Sequence, residues 1–65
     1  MKNKCEILKA IADKYGSLIV TGELNYRIES AYYNDINVVL ELSNAGLSFK
    51  RIKSKDCETF YYLID

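Results

Sequence analysis

The sequence predicts a small α+β protein of three helices, one short strand and a C-terminal β-hairpin. Three observations lead there. Apolar residues recur at helical spacing in three early segments. After Gly46 the pattern turns to aromatic and branched residues in two runs. The chain of 65 residues has no Pro and three Gly, so a single domain over 1–65 without a linker is expected.

Taken in order, Leu8, Ile11, Ala12 and Tyr15 share one helical face over residues 4–15, with Ile7 alongside. Asn3 is a candidate N-cap with Glu6 three residues on. Gly16 is expected to end this helix in a positive-φ C′ position. Ser17–Val20 is a short β-prone run. Thr21 is placed to cap a second helix through about Tyr32, since Leu24, Ile28, Ala31 and Tyr32 fall at i, i+4, i+7 and i+8. Glu23, Arg27 and Glu29 would then face water. Asn34 and Asp35 can each cap a third helix that runs to Gly46, with Ile36, Val39, Leu40 and Ser43 on one side. Asn37, Glu41 and Asn44 take the opposite side, with Val38 at its edge.

The hairpin is expected from residues 47–52 and 59–64, joined by a polar turn over 53–58. Period-two geometry turns Leu47 and Phe49 to the core, together with Phe60, Tyr62 and Ile64. Ile52, Tyr61 and Leu63 go to the other side, where they form an apolar set suited to a dimer or other protein partner.

Composition narrows the function. No apolar run approaches the roughly 20 residues that span a bilayer, so no membrane partner and a cytoplasmic location are expected. Cys5 and Cys57, with no His, are too few for a structural zinc site, and no cofactor is expected. No paired carboxylates, nucleophile with a base, or phosphate cradle is evident, so the chain is not expected to be an enzyme. Positive and negative charges balance at 9 each, yet Lys50, Arg51, Lys53 and Lys55 crowd into one short stretch.

The run Val39-Leu40-Glu41-Leu42-Ser43-Asn44-Ala45-Gly46-Leu47 resembles the end of the third helix in the winged helix-turn-helix family, where a Leu-x-x-Ala-Gly-Leu run precedes the wing. The expected order of helix, strand, helix, helix and hairpin is similar to that family over nearly the whole chain. The resemblance implies a small regulator of transcription, of the kind found in archaea and viruses, acting as a homodimer on double-stranded DNA. It carries base-edge contacts onto Tyr33, Asn34, Asn37, Val38 and Glu41 of the third helix. Phosphate contacts would fall to Lys50, Arg51, Lys53 and Lys55 of the wing.

The residues depart from the family in one respect. The third helix has no Lys or Arg, and Asp35 and Glu41 would repel phosphates. Two other readings therefore stay open: the wing lysines guard an edge strand against aggregation, or the fold is a protein-interaction module that binds no DNA.

Overall fold

The computed structural model describes residues 3–22 and 25–65. Helix α1 (Lys4–Tyr15) leads into strands β1 (Gly16–Thr21) and β2 (Asn25–Ala31). A 3-10 turn at Tyr32–Asn34 opens helix α2 (Asp35–Asn44), and strands β3 (Phe49–Lys53) and β4 (Thr59–Ile64) follow. All four strands form one antiparallel sheet in the order β1-β2-β4-β3, which places the last strand in the interior of the sheet.

This architecture overturns the expected winged helix-turn-helix. Two helices stand against a four-stranded sheet, and the segment read as a second helix is strand β2. Its helical spacing competes with a period-two pattern in the same residues: Tyr26, Ile28 and Ser30 point to the core while Arg27 and Glu29 point away. Pairing decides the matter, because a lone β1 would leave its backbone groups without a ladder. β2 pairs with β1 from Gly16↔Ser30 to Thr21↔Asn25, and with β4 from Tyr26↔Ile64 to Ala31↔Thr59. Leu24 and Glu23, assigned to that helix from the sequence, lie outside the described residues.

Directly opposed residues in antiparallel strands share a face. One row therefore runs Leu18, Ile28, Tyr62, Arg51 across the sheet, on the side that the helices cover. The core beneath the helices is Leu8, Ile11 and Ala12 from α1, Val38 and Leu42 from α2, and Ile28, Tyr62 and Ile64 from the sheet. Each large aliphatic side chain removed from water here contributes about 1.5–3 kcal/mol.

Helix α1 begins and ends as local chemistry dictates. The Asn3 side chain accepts from the Glu6 N–H at 2.9 Å. At the other end the Tyr15 carbonyl accepts from the hydroxyl of buried Ser30 (2.7 Å) and from the Asn34 amide (3.2 Å). Gly16 is needed for a different reason than expected. Its φ of 177° is ordinary extended backbone, but a Cβ there would sit 1.9 Å from the Glu29 carbonyl oxygen. Gly46 does adopt the left-handed conformation (φ 74°). The Leu47 N–H donates to Leu42 O and the Gly46 N–H to Ser43 O, the paired bonds of a Schellman stop, and Leu47 folds back onto the core.

Helix α2 is rotated relative to the sequence expectation. Asp35 and Leu42 face the sheet with Val38 and Val39, whereas Ile36 is 74% exposed and Leu40 54%. The cause is polar. The Asp35 carboxylate accepts from the Tyr62 hydroxyl at 2.6 Å and from Arg51 Nη1 at 2.7 Å, which pins the first turn of α2 to β4 and β3.

Two outcomes follow. Gly16→Ala is expected to cost about 1–3 kcal/mol in urea unfolding, because the obstructing atom is backbone. Burial, and then the bond to Asp35, push the Tyr62 hydroxyl well above its ordinary 10.0. The folded state thus holds a proton that the unfolded state releases, so stability is complete below pH 10 and declines as pH rises past it. Tyr62→Phe should flatten that alkaline decline and lower stability at neutral pH by about 1–3 kcal/mol.

Candidate functional site

With its core settled, the molecule presents three outer features: the far side of α2, the uncovered face of the sheet, and the β3–β4 turn. The residues singled out from the sequence divide among them, and some reach none.

On α2, Val38 is 0% exposed and packs in the core, so it cannot reach a base edge. The Asn34 amide is engaged with Tyr15. Glu41 is bridged to Lys14 at 3.2 Å, linking α2 to α1. The neighbouring Tyr15 hydroxyl, ahead of the Lys14 ammonium, holds the Glu41 carboxyl below its ordinary 4.5. Asn37 and Tyr33 do face solvent. Of five proposed base contacts, two are therefore free to touch anything.

The four cations of the hairpin do not form one patch. Alternation along β3 sends Lys50 to the open face of the sheet and Arg51 and Lys53 to the helix-covered side. Arg51 is already spent on Asp35, and its guanidinium lies over the Phe60 ring at 5.3 Å. Lys55 sits in the turn beside Asp56 and Glu58. That turn is ordered by its own bonds: Asp56 Oδ1 accepts from the Ser54 hydroxyl (2.5 Å) and the Glu58 N–H (3.0 Å), and both hold the Asp56 carboxyl below its ordinary value. Cys57 takes the left-handed conformation, φ 62°.

Ile52, Tyr61 and Leu63 share the open face of the sheet. Ile52 and Tyr61 are directly paired, and Leu63 stands opposite Lys50. Two rows cross this face: Ile19, Arg27, Leu63, Lys50 and Ser17, Glu29, Tyr61, Ile52. The Arg27 guanidinium stacks on Tyr61 at 5.4 Å, while its buried Nε lacks a hydrogen-bond partner.

The most exposed apolar surface joins Tyr33, expected from the sequence to make contacts, to Ile36 and Leu40, expected on the side of the helix away from its polar residues. Tyr33, Ile36 and Leu40 form a ridge along the outer side of α2, flanked by Asn37, Ser43 and Asn44, and no charged residue lies among them. Tyr32 packs edge-on against Tyr33 with ring centroids 5.6 Å apart. A signal for this surface exists in the sequence. Ile36, Val38, Val39, Leu40 and Leu42 spread too widely around a helix for a single sheet to cover.

Cys5 and Cys57 are free thiols. Among the described residues no cluster of three or more His, Cys, Asp or Glu could hold a metal, and no helix is long and apolar enough to cross a membrane. A cavity of about 350 Å³ lies beside the start of α1, lined by Asn3, Lys4, Cys5 and Tyr26.

Because the lowered Glu41 binds its proton less readily in the folded state than in the unfolded one, its contribution is present above about pH 4.5 and disappears as pH falls further. Glu41→Gln should reduce the acid sensitivity of thermal unfolding between about pH 5 and 3, and should also lessen the alkaline decline, because the Glu41 carboxylate is what chiefly raises the Tyr15 hydroxyl. The chain matches no protein-family model, no curated protein and no solved structure.

Proposed function

We propose that this chain is a small protein-interaction module whose contact surface is the outer ridge of α2. The observation that carries this reading is the uncharged apolar stripe of Tyr33, Ile36 and Leu40, exposed to 73%, 74% and 54%. With Tyr32 the stripe offers on the order of 400–500 Å². A stable interface takes about 800 Å² from each partner, so the stripe suits its centre, with Asn37, Ser43 and Asn44 at the rim. The partner would present an apolar surface of low charge.

Double-stranded DNA has less support. Binding to a duplex requires several cations to reach phosphates together. Here Lys50 lies on one side of β3, Arg51 and Lys53 on the other, and Arg51 is paired with Asp35. The outer side of α2 carries no cation to bring it against a groove.

The test uses Ile36→Ser combined with Leu40→Ser. Both side chains are exposed, so folding stability should change by less than about 0.5 kcal/mol per site. In affinity capture with the full chain, a stoichiometric protein partner should be held by the parent and by Lys53→Gln/Lys55→Gln, and lost by the double Ser variant. Duplex binding whose log affinity falls with log salt at a slope near about −3.6, and which vanishes when the four hairpin cations are removed, would reverse this assignment.

A further inference from the structure

The sheet ends in two edges of opposite character. β3 carries Lys50, Arg51 and Lys53 within five residues. A second β3 laid beside it would bring cations against cations, and such charges protect an edge from pairing. β1, Gly-Ser-Leu-Ile-Val-Thr, carries no charge, no Pro and no bulge in its pairing with β2. Its outer N–H and C=O groups form an unguarded row. Val20 points to the helix side of the sheet but is 53% exposed, and Ile19 on the opposite face is half-buried.

We infer that β1 pairs antiparallel with β1 of a second copy of this chain, about a two-fold axis at Ile19, joining two four-stranded sheets into one of eight strands. The sequence of β1 selects both the occupant and the register. Around such an axis residues of equal face must meet, so the axis can pass through Leu18, Ile19 or Val20. Centred on Ile19, Leu18 lies opposite Val20 of the copy, Ile19 opposite its equivalent, and Ser17 opposite Thr21. Apolar residues then meet apolar ones on both faces, and the exposed Val20 is covered. Centred on Leu18, Ile19 would face Ser17 and Val20 would face Gly16. Centred on Val20, Ile19 would face Thr21 and Leu18 would face Gly22. Only the first register leaves no mismatch, and a one-step slip is costly because it loses every pair at once. The chain's formal net charge of zero adds no overall repulsion between copies.

This pairing is independent of the α2 ridge, which lies on a different element. Sedimentation of the full chain against concentration should show a monomer–dimer equilibrium. Ile19→Lys, which sets two ammonium groups across the axis, should weaken it at least tenfold, while Ile36→Ser/Leu40→Ser leaves it unchanged. As a check that does not depend on how Ile19→Lys folds, Ile19→Cys in a Cys5→Ser/Cys57→Ser background should oxidise to a disulfide-linked dimer. Directly opposed residues stand about 4.5–5.5 Å apart, within disulfide reach. Ser17→Cys in the same background should not cross-link, since it faces Thr21. A chain that stays monomeric to about 1 mM, a dimer abolished by the α2 changes and indifferent to Ile19→Lys, or cross-linking through Ser17→Cys in preference to Ile19→Cys would each overturn the inference.

Discussion

The contact on which the rest of the molecule depends is the three-residue link of Tyr62, Asp35 and Arg51. Tyr62 is fully buried at the centre of β4, and its hydroxyl reaches the first turn of α2. Asp35 answers it with one carboxylate oxygen and takes Arg51 of β3 with the other. Removing polar groups from water is unfavourable unless each finds a partner, so the link tolerates few alternative arrangements. It sets which strands lie beneath α2 and how the helix is turned about its axis. The exposed ridge of α2 is a result of that rotation: with Asp35 held inward, Val38 and Leu42 follow it and Ile36 and Leu40 go outside.

Much of the molecule was legible in the sequence where the signals are local. Asn3 and the face of Leu8, Ile11 and Ala12 mark α1, Gly46 marks the stop of α2, and the two aromatic runs mark the C-terminal hairpin with the correct residues on each face. What failed was non-local. Residues 25–31 satisfy a helical and a strand period together, and only the presence of β4 on one side and β1 on the other selects the strand. The orientation of α2 was hidden for a similar reason. A hydrophobic pattern with five apolar residues in ten positions admits two rotations, and a half-buried carboxylate from a residue read as a cap decided between them.

The charge cluster of the hairpin shows how proximity in sequence misleads. In a helix or loop, four cations within six positions would form a patch. In a strand, neighbours point to opposite faces, and the patch divides. One member, Arg51, became structural, with Asp35 as its counter-ion and Phe60 as its platform. The same alternation gathered residues that the sequence keeps apart: Ile19, Arg27, Leu63 and Lys50 make one row from four strands.

The position of β4 in the sheet bears on how the chain reaches this structure. β2 and β4 are the inner strands, and β4 follows every other described element in chain order. Until it arrives, β2 has a neighbour on one side only, α2 has no Tyr62 to hold it, and the apolar surfaces of Leu8, Ile28 and Leu42 lack their common floor. The earlier helices and hairpin therefore stay incompletely buried until β4 pairs, so assembly waits on contacts of long sequence separation. Absence of charge from β1 is a hazard during that interval, when its outer edge is open to other chains and the sheet behind it is incomplete.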